Sequence, residues 1–120
     1  MAKKILIIDD DQKSRKLSKD LIALAGFVVL EAGDAKSGLK LAKENIPDLI
    51  LLDVRLPDMK GLDVSTILRA DIDTQKIPII FVTASAMADE IERMQGISNC
   101  SYIIKPINTR TFVQEISRCL

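Results

Sequence analysis

The stretch from Asp48 to Gly61 reads Asp-Leu-Ile-Leu-Leu-Asp-Val-Arg-Leu-Pro-Asp-Met-Lys-Gly, and it decides the fold of this chain. Residues 49 to 52 form an unbroken apolar run that ends at the carboxylate Asp53. A run so short, and apolar on both alternating faces, is typical of a central parallel strand that is buried on both sides. Pro57 and Gly61 then indicate a loop that leads into a helix.

Four further apolar runs flank this one, and stretches with helical spacing of apolar residues lie between them. The five predicted strands are Ile5 to Ile8, Phe27 to Glu31, Leu49 to Leu52, Ile79 to Val82 and Tyr102 to Ile104. The five predicted helices follow the strands and carry apolar faces formed by Leu17, Leu21 and Leu24, by Ala35, Leu39 and Ala42, by Val64, Ile67 and Leu68, by Ile91 and Met94, and by Phe112, Val113, Ile116 and Leu120. This alternation predicts an α/β fold with a parallel sheet and helices on both of its faces.

Residues at the ends of the predicted helices agree with this pattern. Asp11, Asp34 and Asn108 precede helical stretches and are candidate N-caps, whose side chains accept hydrogen bonds from the first turn. Gly26 is placed to end the first helix. A weakly amphipathic fourth helix is predicted from residue 87 to 95.

The composition excludes several classes of site. The 120 residues carry 17 basic and 17 acidic side chains, so net charge gives no argument for binding to nucleic acid or to a membrane. The absence of histidine removes the commonest general base and zinc ligand. Cys100 and Cys119 lack metal-type spacing, and without a signal peptide or apolar span we expect two free thiols in a reducing cytoplasm. We predict a single domain over residues 1 to 120.

The residues capable of chemistry are concentrated at the carboxyl ends of the strands, where open α/β sheets bind ligands. Asp9 and Asp10 end the first strand, Asp53 the third, Thr83 the fourth and Lys105 the fifth. If these strands are neighbours, the carboxylates repel one another, and a bound divalent cation would relieve the conflict. A small cluster of oxygen ligands with room for water suits Mg²⁺, so we expect Mg²⁺, or Mn²⁺ in its place.

The same set of residues is suited to phosphoryl transfer. The cation, the ammonium group of Lys105 and the hydroxyl group of Thr83 would surround the oxygens of a transferring phosphoryl group. A carboxylate can act as the nucleophile and form an acyl phosphate, and Asp53 is the best candidate because it ends the central strand. The nearby Asp58 and Asp63 are interpreted as surface residues without a role.

In these features the chain resembles the receiver domain of two-component response regulators, over essentially its whole length. The motifs that carry the resemblance are Asp9-Asp10 after an apolar strand, Leu-Leu-Asp53 followed by Pro57 and Gly61, Thr83-Ala84, and Lys105-Pro106. Thr83 follows Asp53 by 30 positions and Lys105 follows Thr83 by 22, as in the family. The chain is similar to the stand-alone, single-domain receivers. The resemblance implies a flavodoxin-like doubly wound (βα)5 sandwich with strand order 2-1-3-4-5.

The resemblance implies a role for each acidic residue of the set. Asp53 would be the phosphoacceptor. Asp10 and Asp53 would ligate the metal together with the backbone carbonyl of Arg55, and Asp9 would help directly or through water. The side chain of Arg55 would also tune the rate of dephosphorylation.

The remaining motif residues would bind the phosphoryl group or respond to it. Lys105 would pair with the phosphoryl oxygens, and Thr83 would donate a hydrogen bond to them. Tyr102 matches the aromatic switch position, and Ala84 matches a small residue that leaves phosphodonors access. Ser85, like Arg55, falls where the family varies the side chains that tune dephosphorylation.

The resemblance also implies partners. A histidine kinase or a His-containing phosphotransfer protein would donate the phosphoryl group. The surface formed by the predicted fourth helix, fifth strand and fifth helix, the α4-β5-α5 face of the family, would then change shape and control a downstream protein. We expect no enzymatic turnover, no direct contact with nucleic acid or membrane, and a cytoplasmic location. A phosphorylation-dependent dimer stays open, as do the cognate kinase, the target and the lifetime of the aspartyl phosphate.

Four alternatives remain beside this interpretation. The run Asp9 to Asp11 also resembles the start of haloacid-dehalogenase-type phosphatases, although Lys13 stands where those need Thr or Val. A flavin or nucleotide binder would require a Ser/Thr-rich or Gly-rich loop after the first strand. A degenerate receiver that serves only as a scaffold is disfavoured because every chemical residue is present. The 120 residues could also be one domain of a longer regulator or hybrid kinase.

Overall fold

The computed structural model of the chain describes residues 2 to 84 and 102 to 120. The predicted fourth helix, from 87 to 95, lies outside these described residues, as do Ser85 and Cys100. The C-terminal helix is therefore labelled α4.

Strands and helices alternate over residues 4 to 83, in the order that the apolar pattern predicts, and a further strand and helix lie within residues 102 to 120. The strands are β1 (Lys4–Ile8), β2 (Val28–Ala32), β3 (Leu49–Asp53), β4 (Ile79–Thr83) and β5 (Tyr102–Ile104). The helices are α1 (Gln12–Leu24), α2 (Ala35–Asn45), α3 (Gly61–Ala70) and α4 (Phe112–Ser117). Within the described ranges, no helix has the length and apolar character that crossing a bilayer requires.

The five described strands form one parallel sheet in the order β2-β1-β3-β4-β5, which confirms the predicted flavodoxin-like topology. The central strand β3 pairs with β1, where Leu51 lies opposite Ile7, and with β4, where Leu52 lies opposite Phe81. Every residue of β3 is buried, as expected for a strand with helices on both faces. Asp53 is therefore held at the middle of the sheet's carboxyl edge.

Alternate residues of the strands point to opposite faces and build two separate cores. The first core, which includes residues of α2 and α3, contains Leu6, Ile8, Ala42, Ile50, Leu52, Val64, Leu68, Ile79 and Phe81. The second core, which includes residues of α1 and α4, contains Ile5, Ile7, Ile22, Leu49, Leu51, Ile80, Val82, Ile103, Phe112 and Ile116. The sheet is thus fixed on both sides, and its carboxyl edge becomes a rigid platform for the polar residues.

Two helices bury only part of the predicted apolar face: Val64 and Leu68 of α3 are buried as expected, and Leu21 of α1 packs against the second core. In α1 the buried residues are Ser18 and Ile22, whereas Leu17 is 40% and Leu24 is 88% exposed. In α3, Ile67 is 45% exposed although it was expected to face inward. The leucine stripe of α1 lies beside the line that faces the sheet, and Leu24 is the last residue of its helix. A periodic pattern gives the apolar side of a helix only to within about one residue step, since adjacent positions differ by about 100°.

The predicted caps of the first two helices are confirmed. The Asp11 side chain accepts hydrogen bonds from the backbone N–H groups of Lys13 and Ser14, and the Asp34 side chain accepts one from Ser37. These bonds satisfy donors that have no partner inside the helix.

The C-terminal helix begins later than predicted. Thr111 directly precedes α4 and makes no side-chain capping bond. The Asn108 side chain instead accepts a hydrogen bond from the backbone N–H of Arg110 at 3.0 Å. Asn forms such bonds two residues along the chain in turns, so its side chain stabilises the turn before the helix and not the helix itself.

Cys119 is disulfide-bonded in the structure, so the prediction of a free thiol at this position is wrong. The sequence contains one other cysteine, Cys100, which lies outside the described residues. Composition and compartment arguments fail here because they do not tell which side chains the fold brings close together.

Candidate functional site

The carboxyl edge of the sheet carries a cleft of about 340 Å³. Its walls include residues that directly follow or end four different strands. The lining residues are Asp10, Asp11, Asp53, Arg55, Thr83, Ala84 and Lys105. Except for Asp11, which was expected only to cap a helix, all of them were singled out from the sequence. The fold thus brings the predicted site residues together because their strands are neighbours.

Lys105 reaches across the sheet edge to two carboxylates. Its ammonium nitrogen lies 3.1 Å from Oδ2 of Asp9 and 3.2 Å from Oδ2 of Asp53. Lys105 is held in this position because its backbone N–H donates to the carbonyl oxygen of Thr83 at 2.7 Å, which continues the pairing of β5 with β4. The lysine therefore links the ends of three strands through charge.

Asp9, Asp10 and Asp53 form an acidic trio whose ligand atoms lie within 4.8 Å of one another. Asp9 and Asp53 are buried, at 5% and 8% exposure, whereas Asp10 is exposed to solvent. All the metal-binding atoms of this trio are carboxylate oxygens, and the exposed Asp10 leaves one side of the trio open to water. This donor set could hold a metal ion and fits a hard divalent cation that keeps several waters.

The surroundings shift the pKa values of Asp53 and Lys105. Burial raises the pKa of Asp53 from 3.8 to about 6; the backbone N–H of Arg55 and the charge of Lys105 oppose this shift, and Asp9 adds to it. Burial alone would lower the pKa of Lys105, but the hydrogen bonds and charges of Asp9 and Asp53 outweigh burial and raise it. The cleft therefore favours bound positive charge, and Lys105 stays an ammonium ion at neutral pH.

Backbone hydrogen bonds fix the turn after β1, which carries Asp9 and Asp10, and the loop after β3, which begins behind Asp53. Oδ1 of Asp9 accepts a hydrogen bond from the N–H of Asp11, and Oδ1 of Asp53 accepts one from Arg55, both at 3.0 Å. Gly61 lies against the backbone of Asp53: a Cβ atom there would overlap the Asp53 carbonyl oxygen and approach Cα of Val54 to 2.8 Å. A glycine is needed at this position for space.

The other predicted residues divide into three groups. Thr83 is buried at the end of β4, and both it and the exposed Ala84 line the cleft. Tyr102 lies in β5 opposite Phe81 and packs against the first core, and it is not one of the described residues that line the cleft. Ser85 lies outside the described residues.

Two residues beside the site were not found from the sequence. Arg15 donates from Nη1 to the carbonyl oxygen of Asp9 at 2.7 Å, and it pairs with Glu31 at 3.4 Å. Asp58 is exposed, as expected of a surface residue, but it is not without a role, because it accepts hydrogen bonds from the backbone N–H groups of Ala35 and Lys36. Its partners lie more than 20 positions away, and no local pattern indicates such a contact.

Comparison with known proteins gives the same assignment. Residues 5 to 117 match the family described as "Response regulator receiver domain". Two curated relatives, from Brucella ovis and Brucella abortus (strain S19), are both named "Polar-differentiation response regulator DivK". Each is 38% identical over 120 residues, which is 100% of this chain and 98% of the relative.

Solved structures show the same fold. The chemotaxis protein CheY4 of Vibrio cholerae superposes with a TM-score of 0.93 at 24% identity, with 100% of both chains covered. A CheY-like response regulator receiver domain protein of Methanospirillum hungatei JF-1 superposes with a TM-score of 0.91 at 28% identity, covering 98% of this chain and 93% of the other.

The family match corrects the expectation that the chain is not an enzyme. Receiver domains accept a phosphoryl group, and although they are not enzymes in the usual sense, some autophosphorylate. A flat exclusion of catalysis is therefore wrong for this family, and the match assigns no enzyme class in its place.

The sheet order, the acidic trio at the end of the central strands and the lysine that spans them all agree with the sequence match. The family implies a phosphoacceptor role, with a phosphodonor and a downstream target as partners. This chain belongs to the response regulator receiver domain family of two-component signalling.

Proposed function

We propose that Asp53 is the phosphoacceptor of this receiver domain, in a reaction that depends on Mg²⁺. The observation that carries the proposal is the position of Asp53, which lines an open cleft and ends the central strand beside the ammonium group of Lys105 and the two other carboxylates of the acidic trio. Residues 1 to 120 would act as one receiver domain.

The acidic trio would hold the metal. Asp10 is exposed and offers a ligand that needs little desolvation, while Asp9 and Asp53 are already fixed by backbone N–H donors. Arg55 lines the cleft, and its backbone carbonyl is the proposed fourth protein ligand. When bound, Mg²⁺, or Mn²⁺ in its place, would neutralise charge on the carboxylates and on the phosphoryl oxygens.

In the proposed step, a carboxylate oxygen of Asp53 attacks the phosphorus atom of the donor. A new P–O bond forms while the bond from phosphorus to the donor's nitrogen or oxygen breaks, and its electron pair leaves with the donor. Lys105 stabilises the charge that develops on the phosphoryl oxygens, since its ammonium group already lies 3.2 Å from Asp53. Ala84, small and exposed at the rim of the cleft, leaves the donor room to approach.

Phosphorylation would then change the surface beyond β4 and β5. The phosphoryl group adds nearly two negative charges, to which Thr83 and Lys105 donate. Each charge-assisted hydrogen bond contributes about 1.5–3 kcal/mol, and a shift from 1:99 to 99:1 needs about 5.5 kcal/mol. Two or three such contacts are close to sufficient, and a target that binds the active surface would supply the rest. In this transition Thr83 would move toward the phosphoryl group, and Tyr102 would turn inward into the space that Thr83 leaves.

The proposed partners follow the family pattern. A histidine kinase or a His-containing phosphotransfer protein donates the phosphoryl group, and a protein target reads the surface next to β5. Arg55 and Ser85 are the positions proposed to tune the lifetime of the phosphorylated state. The proposed location is the cytoplasm.

The phosphoacceptor is tested by intact mass spectrometry after incubation with acetyl phosphate, with and without Mg²⁺. We expect a gain of one phosphoryl group that requires both the metal and Asp53, so that Asp53→Ala shows none. Asp63→Ala is the matched control, because Asp63 is a carboxylate in the first turn of α3, outside the cleft. A folded wild type that gains no mass from acetyl phosphate or from a phosphotransfer donor would refute the proposal and leave a scaffold role.

The switch has a separate measurement. Tyr102 is the single tyrosine of the chain and there is no tryptophan, so intrinsic fluorescence reports on Tyr102 alone. We expect phosphorylation to change this fluorescence in the wild type and not in Thr83→Ala. An equal change in both would contradict the proposed role of Thr83.

A further inference from the structure

Asp58 connects the loop behind the phosphoacceptor to a helix that is distant in sequence. Its Oδ1 accepts the backbone N–H of Ala35 at 2.8 Å, and its Oδ2 accepts that of Lys36 at 3.0 Å. Both carboxylate oxygens are thus used at the first turn of α2. These two N–H donors hold the pKa of Asp58 below its usual value, so the group is ionised at neutral pH.

This contact is additional to the helix's own cap. Asp34 already stands at the N-cap position of α2 and accepts the N–H of Ser37 at 2.7 Å. Asp58 binds two other donors of the same turn, from a position 23 residues away from Ala35. The contact between Asp58 and α2 therefore also restrains the loop that carries Asp58.

That loop is closed tightly and includes a proposed metal ligand. Arg55 and Lys60 form an antiparallel bridge across it, and the N–H of Gly61 donates to the carbonyl oxygen of Val54 at 2.7 Å. Asp58 stands near the tip of this closed loop. Fixing Asp58 therefore also restrains the position of Arg55.

The start of α2, to which Asp58 binds, is also connected to the turn that carries Asp9. The N–H of Asp9 donates to the carbonyl oxygen of Ala32 at 3.0 Å, at the end of β2 and three residues before Ala35. A series of contacts thus runs from the turn that carries Asp9 through the start of α2 to Asp58, in the loop after Asp53. The strands before these two loops are themselves paired, since Ile8 lies opposite Leu52, and Lys105 contacts both Asp9 and Asp53. Asp58 therefore adds a restraint on the part of the second loop that lies beyond Asp53 and carries Arg55.

We propose that Asp58 is a positioning residue of the metal site: it clamps the loop after Asp53 against α2 and so holds Arg55, a proposed metal ligand, in position beside the acidic trio. The proposal rests on the proposed metal-dependent function. It concerns metal affinity first and phosphorylation second, since Asp58 does not itself line the cleft.

The test compares Asp58→Ala with Asp34→Ala. Both variants remove carboxylate capping of α2, but only the first releases the loop. Binding of Mg²⁺ alone is measured by titration calorimetry, and phosphorylation by acetyl phosphate is followed at increasing Mg²⁺. We expect Asp58→Ala to weaken Mg²⁺ binding about 10-fold, the lower end of what loss of an outer-shell contact causes, with Asp34→Ala close to wild type. Saturating Mg²⁺ should restore most of the phosphorylation rate.

A third variant, Asp58→Asn, keeps one acceptor oxygen and should fall between the wild type and Asp58→Ala; it carries the comparison alone if Asp58→Ala does not fold. Equal Mg²⁺ affinity in the wild type and in the Asp58 variants would overturn the proposal, and so would an equal loss in Asp34→Ala. If the wild type binds Mg²⁺ but accepts no phosphoryl group, the proposed function fails while the calorimetric comparison still decides the role of Asp58. A wild type that binds no Mg²⁺ overturns both.

Discussion

The ammonium nitrogen of Lys105 lies 3.2 Å from Oδ2 of Asp53, so the cleft already holds one cation beside the carboxylate that ends the central strand. The same nitrogen contacts Asp9 at 3.1 Å. Lys105 thereby offsets part of the repulsion within the acidic trio. A divalent metal bound to the trio would also reduce this repulsion, so the lysine and the metal would both pair with the carboxylates of Asp9 and Asp53.

Replacing Lys105 by methionine should show whether the metal can take the place of the lysine charge beside Asp9 and Asp53. Without metal, Lys105→Met leaves Asp9 and Asp53 without their cation, and we expect a loss of about 1–3 kcal/mol in the free energy of unfolding. Mg²⁺ should stabilise the variant more than the wild type, because it replaces the missing charge. Urea unfolding with EDTA and with Mg²⁺ measures both effects. An equal Mg²⁺ increment in the two proteins would show that lysine and metal do not compete.

Asp53 should make stability depend on pH in a defined window. Its folded-state pKa, about 6, is above the ordinary 3.8, so between these values the folded state binds more protons than the unfolded state. Stability contributed at this site is therefore highest below about pH 4 and is lost as pH rises toward 6. Above pH 6 in EDTA, we expect Asp53→Asn to be more stable than the wild type by roughly 1 kcal/mol, a value reduced for the open cleft.

The difference between the two proteins should shrink as the pH falls from 6 to 4. Urea unfolding of both at several pH values measures it. A stability difference that grows on acidification would have the wrong sign and would contradict the raised pKa.

Gly61→Ala should disturb the phosphoacceptor directly. A Cβ atom there meets the backbone of Asp53 and Val54, and backbone cannot rotate away as a side chain can. We expect a loss of at least about 1–3 kcal/mol in stability, together with slower phosphorylation by acetyl phosphate. Gly33→Ala is the control, because its Cβ would meet only the end of the Arg15 side chain, at 3.2 Å. Equal losses in both variants would contradict the crowding at Asp53.

The strands and the residues of the cleft were predictable from local signals, whereas the strand order was predictable only from the resemblance to the receiver family. Each strand is an apolar run that ends in a polar residue, and parallel strands place those ends at one edge, so Asp53, Thr83 and Lys105 had to meet if their strands were neighbours. The spacing of these residues along the chain agrees with the family pattern. The caps Asp11 and Asp34 were predictable for the same reason, since each acts within three residues of its position.

What could not be predicted depends on distant contacts. Asp58 looks like an ordinary loop carboxylate until the fold brings the start of α2 within 2.8 Å of it. Ser18 and Ile22 are the buried residues of α1 and the expected leucines are not, because the rotation of a helix on a sheet is set by packing and not by apolar period alone. The bonded state of Cys119 likewise depends on a neighbour that the fold supplies.

The packing of α2 on the sheet should be limited by one glycine. Gly38 is buried in α2, and a Cβ there would lie 2.5 Å from Cδ1 and 2.8 Å from Cγ1 of Ile8, the residue that precedes Asp9. We expect Gly38→Ala to lower the free energy of unfolding by about 1–3 kcal/mol through overpacking, despite the better helix propensity of alanine.

The double variant Gly38→Ala with Ile8→Val tests the cause. Removing Cδ1 of Ile8 takes away the nearest clashing atom, so the two changes should not add, and we expect a coupling energy of about 0.5–3 kcal/mol that favours the pair. Thermal or urea unfolding of the four proteins in the cycle gives this energy. Strict additivity would mean that α2 moves away from β1 as a body and that Ile8 does not limit its approach. In that case the start of α2 should move too, and Mg²⁺ binding would weaken with it.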